Sequence, residues 1–185
     1  AHLGMMSFYM RPEEMQLGRG EPIKDTARVI DRYCDLLFIR TFGQEIVDEF
    51  AHYMQNPVIN ALTDQYHPCQ ALADLFTLRE QVGNLRGHTL AWVGDGNNVA
   101  RSLARGCGKL GMRMVMATPE GYRFDDAFLA QLKQEVPELD LTVTGDPAGT
   151  VTASDQSVAI DNVGLVETYA ELPFRHTDGN RPIFQ

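Results

Sequence analysis

His67-Pro68-Cys69-Gln70 sets an imidazole and a carboxamide three residues apart, with a proline between them that suits the first turn of a helix. The proline fixes the helix entry, so His67 and Gln70 can face one point, where an imidazole N–H and a carboxamide together suit the polarisation of a carbonyl group. The same histidine can equally cap the start of that helix, and the residues alone leave both roles open. Cys69 stands between them with no second histidine or acid nearby to activate it, so it reads as packing. Arg40 closes a short apolar run at 36–39, and its planar fork suits a phosphate or a carboxylate; a surface ion pair is the plainer use. Gly94-Asp95-Gly96-Asn97-Asn98 has the strand–glycine turn–helix layout of a nucleotide-binding loop, but valine at 99 breaks the full Gly-x-Gly-x-x-Gly spacing. No acidic residue ends the next strand, which runs into Thr118-Pro119, so dinucleotide binding is weakly supported. Glycines before a helix start still suit an anionic or carboxylate-bearing ligand, the alternative being a helix merely capped by Asn or Asp. His2, His52, His88 and His176 are scattered without metal-ligand spacing, so no metal site is expected.

Hydrophobic periodicity supplies the elements that must hold these residues. Ile23, Ala27, Ile30 and Cys34 form a helical stripe after Pro22, the run 36–39 reads as a buried strand, and Ile46, Val47, Phe50, Ala51 and Met54 form a second helical stripe. Residues 57–60 read as a strand, which makes a βαβ unit, the connection that parallel pairing needs. A helix from Pro68 to about Val82 carries Ala71, Leu72, Leu75, Phe76 and Leu78 on one broad side, with Asp74, Arg79 and Glu80 among its polar residues. Gly83-Asn84-Leu85-Arg86-Gly87 breaks the pattern and is the best domain boundary. Beyond it come a strand at 89–93, a helical stripe of Val99, Leu103, Cys107 and Leu110, a strand at 112–117, a helix around Phe128, Leu129 and Leu132, and a strand at 141–143. Met112, Met114 and Met116 alternate along one strand as core filler. After about Gly149 the pattern weakens: 157–160 suits a last strand, 166–171 a helical turn, and 172–185 a tail. The architecture predicted is α/β, with two Rossmann-like parallel-sheet lobes joined by a helix and the first lobe incomplete. The divisions fall at 1–82, 83–149 and a divergent segment 150–185. Ligands of such sheets bind beyond the carboxyl ends of the strands, where Arg40, His67, Gln70 and the Gly94 loop all fall.

The 185 residues carry 16 Lys and Arg against 25 Asp and Glu, a net charge of −9 that argues against a nucleic-acid partner. At 44% hydrophobic residues the chain can bury a core, and no apolar run approaches a membrane span of about 18–20 residues. Cys34, Cys69 and Cys107 are odd in number and far apart, as reduced thiols of a cytoplasmic protein would be.

Five segments in order resemble the aspartate/ornithine carbamoyltransferase family, and its ornithine branch in particular. They are Gln16-Leu17-Gly18-Arg19-Gly20-Glu21 with Lys24-Asp25-Thr26-Ala27-Arg28-Val29, then Ile39-Arg40-Thr41, then His67-Pro68-Cys69-Gln70-Ala71-Leu72-Ala73-Asp74, then Gly94-Asp95-Gly96-Asn97-Asn98. The resemblance runs from Ala1 to about Asp146. It implies one lobe for carbamoyl phosphate, residues 1–82 with the linking helix, and the start of a lobe for the amino acid at 83–149. It further implies a trimer, and transfer of the carbamoyl group from carbamoyl phosphate to the ornithine side-chain amine, giving citrulline and phosphate, a step of arginine biosynthesis. Arg40, His67 and Gln70 would hold carbamoyl phosphate, His67 and Gln70 on its carbamoyl group. Gln16 would reach a neighbouring subunit's site, and Asn98 and Asp161 would hold the amino acid.

The family's Ser-Thr-Arg-Thr-Arg phosphate loop and its His-Cys-Leu-Pro motif do not occur in the sequence, and Asp161-Asn162-Val163-Gly164-Leu165-Val166-Glu167 keeps only the aspartate of the amino-acid loop. The chain therefore reads as the middle of a carbamoyltransferase. Losing two or three charge-assisted phosphate contacts would lower affinity by about 10²–10⁶, so these residues by themselves are expected to be impaired. The alternative is a non-catalytic binding or oligomerisation module built on the same scaffold. A first lobe with an open sheet edge is expected to pair with another chain.

Overall fold

The computed structural model describes residues 4–147 and the strand 157–161. The expected helical turn at 166–171 and the tail at 172–185 lie outside the described residues. The described chain divides into two units: one reaches Gln81 and also takes in Asn97–Gly106, the other holds Val82–Gly96 and the described residues from Cys107 onward.

In the first unit, 3-10 turns at Pro12–Glu14 and Gln16–Arg19 precede helix α1, Ile23–Ile30. The second turn is closed by Gly20 at φ 92°, a left-handed conformation that favours glycine. Strand β1, Leu37–Arg40, pairs in parallel with β2, Val58–Leu62, and helix α2, Gln44–Tyr53, makes the crossover. Ala27, Ile30, Phe50 and Met54 are buried together, with Ile23, Leu37, Ile39 and Val58 packed against them. Cys34, expected to extend the first helical stripe, lies beyond α1. The chain turns after Ile30 because the Asp31 carboxylate accepts the Gln55 and Asn56 backbone N–H groups at 3.0 and 2.8 Å. The Asn56 side chain answers by donating to the Asp31 and Cys34 carbonyls.

Helix α3 spans Pro68–Val82, as the periodicity predicts, but its buried face is narrower than expected. Ala71, Asp74, Leu75 and Leu78 are buried, whereas Leu72 and Phe76 are 67% and 60% exposed. At about 100° per residue each of these two lies a quarter-turn or more off the buried stripe, and the broad apolar side was an over-reading. Helix α4, Asn98–Leu110, approaches α3 closely at Gly106, where an added Cβ would sit 2.4 Å from Leu75 Cδ1.

The second unit is a four-stranded parallel sheet in the order β5-β4-β3-β6, with β3 Thr89–Val93, β4 Arg113–Ala117, β5 Leu141–Thr144 and β6 Ser157–Asp161. Every residue of β3 is buried, as are Met114, Val115, Met116 and Ala117, the signature of a strand covered on both faces. Met112, Met114 and Met116 are core residues as expected. Helix α5, Asp126–Glu135, starts at an Asp125 cap whose carboxylate accepts the Phe128 N–H at 2.8 Å. The Cys34, Cys69 and Cys107 thiols are free, and burial pushes that of Cys107 up to about 12, which leaves it unreactive. No helix among the described residues is long and apolar enough to cross a membrane.

Candidate functional site

The site is built in the first unit, at the carboxyl ends of β1 and β2. Arg40 is the last residue of β1, where the register against β2 slips: Ile39 pairs with Asn60 but Arg40 with Leu62. A slip of this kind re-aims the side chain at a strand end. The arginine is exposed and has no ion pair or side-chain hydrogen bond among the described residues. The loop after it is tied to the turn after β2 by two backbone bonds, Thr41 N–H to Leu62 O at 3.0 Å and Asp64 N–H to Phe42 O at 2.9 Å.

That turn, from Thr63 to His67, is organised around the buried Thr63. Thr63 N–H donates to Tyr66 O, its Oγ1 accepts the Tyr66 N–H at 3.1 Å and donates to Gln44 Oε1 at 2.8 Å, and Asn60 Nδ2 donates to the same Gln44 oxygen at 3.0 Å. The first turn of α4 completes the support. His67 N–H donates to Ser102 Oγ at 2.9 Å and toward Asn98 O at 3.3 Å, Ser102 Oγ donates to Asn98 O, and Asn98 Nδ2 donates to Thr63 O at 2.9 Å. The Arg105 guanidinium lies over the Tyr66 ring and donates to its hydroxyl at 3.0 Å.

His67 precedes α3 and caps it, with Nδ1 accepting the Gln70 backbone N–H at 3.3 Å. Nδ1 is thus the unprotonated nitrogen, and a neutral ring carries its proton on Nε2. Burial lowers the His67 pKa from 6.5, Arg40 lowers it further, and Asp74 opposes them, so the ring is neutral at pH 7. Nε2–H has no acceptor among the described residues and is the donor the site offers. The capping role and the carbonyl-polarising role, both open in the sequence, are compatible in one ring. Gln70 spends Nε2–H on Asp74 Oδ1 at 2.8 Å, which leaves Oε1 without a donor among the described residues. A cation, a neutral N–H donor and a carbonyl acceptor therefore come from Arg40, His67 and Gln70, all on adjoining ends of β1, β2 and α3.

Of the other predicted residues, Asn98 is bonded into the turn that carries His67. Gln16 opens an exposed 3-10 turn and its side chain bonds to nothing among the described residues. In the Gly94 loop the plainer alternative is the one observed for the helix start: Asn97 Oδ1 accepts the Val99 and Ala100 N–H groups at 3.0 Å each. Gly96 has a packing reason, because a Cβ there would lie 2.9 Å from the Phe124 backbone nitrogen. Asp161 ends β6 in register with Val93, the residue before this loop; residues 162–167 lie outside the described residues. Asp74, Thr63 and Ser102 were not foreseen as site residues. The four-residue spacing of Gln70 and Asp74 carried a signal for one of them; nothing in the sequence marked the other two.

Comparison with known proteins identifies the family. Residues 1–80 match the carbamoyl-phosphate binding domain of aspartate/ornithine carbamoyltransferases, and residues 86–164 match the Asp/Orn binding domain of the same proteins. The chain belongs to the aspartate/ornithine carbamoyltransferase family. It is similar to the ornithine carbamoyltransferase of Nostoc punctiforme, at 49% identity over 99% of this chain and 58% of that protein. It is also similar to that of Gloeobacter violaceus, at 55% identity over 71% of this chain and 42% of that protein. The crystal structure of the Pyrococcus furiosus ornithine carbamoyltransferase superposes with a TM-score of 0.79 and 40% identity, over 92% of this chain and 54% of that one. The chain spans about half the length of the relatives it matches.

Proposed function

We propose that this chain takes part in carbamoyl transfer from carbamoyl phosphate to the side-chain amine of ornithine. The observation that carries the reading is the His67 ring, neutral, held by its own helix cap and left with Nε2–H as donor. The amine lone pair attacks the carbamoyl carbon and the carbonyl oxygen takes up negative charge; the carbonyl then re-forms as the carbon–oxygen bond to phosphate breaks, and the amine proton passes to the departing phosphate. His67 Nε2–H donates to that oxygen, Gln70 Oε1 accepts from the carbamoyl NH₂, and Arg40 holds the phosphate. Positioning and stabilisation of the developing charge account for the rate, with no metal or organic cofactor. Asn98, through the Oδ1 left by its bond to Thr63, and Asp161 hold the amino acid, and Gln16 serves the site of a neighbouring subunit in a trimer. The exposed Phe38, Phe42, Leu72 and Phe76 support assembly with further copies. The protein works in the cytoplasm, in arginine biosynthesis, beside reduced thiols.

The test is transfer of labelled carbamoyl group with ornithine or aspartate offered separately. Labelled citrulline with ornithine, and nothing with aspartate, is the expected result. Carbamoylaspartate instead would overturn the choice of acceptor, and carbamoyl phosphate binding without product would favour a non-catalytic module.

A further inference from the structure

Asp74 is a charged residue buried in α3, at 4% exposure. Burial raises its carboxyl above the ordinary value, against the Gln70 hydrogen bond and His67. A carboxylate on the apolar face of a helix is costly and an aliphatic side chain would serve packing better, so its presence there calls for a partner that needs it. The partner is one turn away: Gln70 Nε2–H donates to Asp74 Oδ1 at 2.8 Å. A carboxamide can be turned over to exchange oxygen and nitrogen, and a carboxylate accepts from only one of the two ends. We propose that Asp74 is a positioning residue, whose buried carboxylate holds the Gln70 carboxamide with Nε2 inward and Oε1 outward. The site then offers an acceptor to the amino group of a bound carbamoyl compound, beside the carbonyl that His67 addresses. Without the carboxylate the amide is free to turn and present N–H to N–H. The proposal deepens the carbamoyl reading above and rests on it for the identity of the ligand.

The experiment reads orientation and binding separately, on the full chain. The Gln70 side-chain NH₂ signals are followed by NMR in the wild type, Asp74→Leu and Asp74→Asn, and each protein is titrated with [¹³C]carbamoyl phosphate. In the wild type one Gln70 amide proton is protected from exchange and its shift follows a carboxyl titration. The titratable group acting on Asp74 is His67, itself influenced by Arg40, and its own ring signals distinguish the two. Asp74→Leu loses the protection and binds carbamoyl phosphate about 10–100-fold more weakly. Asp74→Asn, which can accept from or donate to Gln70, no longer fixes one orientation: the protection is reduced, carbamoyl phosphate binds severalfold more weakly, and the Gln70 shift no longer titrates with a carboxyl. Gln70 signals unchanged in Asp74→Leu overturn the proposal. Should that variant not fold, a carboxyl titration persisting at Gln70 in Asp74→Asn overturns it. Absence of carbamoyl phosphate binding in the wild type defeats the functional reading instead, and the Gln70 signals still decide the positioning claim.

Discussion

His67 uses its two ring nitrogens for two different tasks, and the first fixes the second. Nδ1 accepts the backbone N–H of Gln70, the third residue of α3, so the proton of the neutral ring belongs on Nε2. Burial and the neighbouring Arg40 keep that ring neutral, a donor of one hydrogen bond rather than a cation. This depressed pKa has a consequence for stability. The unfolded chain takes up a proton on His67 before the folded one does, so the group's contribution is full above about pH 6.5 and is lost as the pH falls through the folded value. Asp74 has the opposite sign: its carboxyl is raised, so its contribution is present below the ordinary carboxyl value and lost as pH rises through the folded one. His67→Asn retains a good cap and removes the titrating ring. Urea midpoints measured from pH 7.5 to 5 are expected to fall more steeply for the wild type than for this variant, and parallel curves would contradict the assignment. The closeness of His67 and Gln70 was legible in the sequence because a proline fixes the helix entry between them. Asp74 was not, since a carboxylate four residues along reads as a solvated face until its burial is known.

Secondary structure positions these side chains by ending each element at the right residue. β1 stops at Arg40, β2 feeds a turn pinned by Thr63, and α4 is preceded by Asn97, whose side-chain oxygen accepts two of the helix's first N–H groups. Asn97→Ala removes an acceptor from two N–H groups and is expected to cost about 1 kcal/mol, read as a lower urea midpoint, whereas Asn97→Asp should retain most of it. An unchanged midpoint in Asn97→Ala would mean that the helix start is held by other contacts. Strands β3 and β4 were plain from the continuous apolar runs 90–93 and 114–117, because residues covered on both faces show no polar alternation. The same reasoning failed on α3. Leu72 and Phe76 are apolar and lie near the buried stripe in sequence, yet they face outward while a carboxylate occupies the inside. Periodicity weighs hydrophobicity alone and cannot register an exposed apolar residue or a buried acid. The 3-10 turns at Pro12–Glu14, Gln16–Arg19 and Glu120–Tyr122 were missed for a simpler reason: three or four residues are too few to show a period.

At the scale of the molecule, the described chain forms two α/β units, and the family models match a carbamoyl-phosphate binding domain over residues 1–80 and an Asp/Orn binding domain over residues 86–164. The grouping of Asn97–Gly106 with the first unit has a local cause in the bonds from Asn98 and Ser102 to the Thr63–His67 turn. A boundary placed by glycines at 83–87 marks the chain's passage out of α3, but glycine content carries no information about which helix returns to support a turn. The central claim is that His67 Nε2–H stabilises charge on the reacting carbonyl oxygen. It is tested most directly by the rate of citrulline formation from carbamoyl phosphate and ornithine in His67→Asn beside the wild type, with folding verified in both at pH 7.5. The account predicts a fall of about 10²–10³ in turnover, the effect of removing one donor from a developing oxyanion. Equal rates in the two proteins would contradict it.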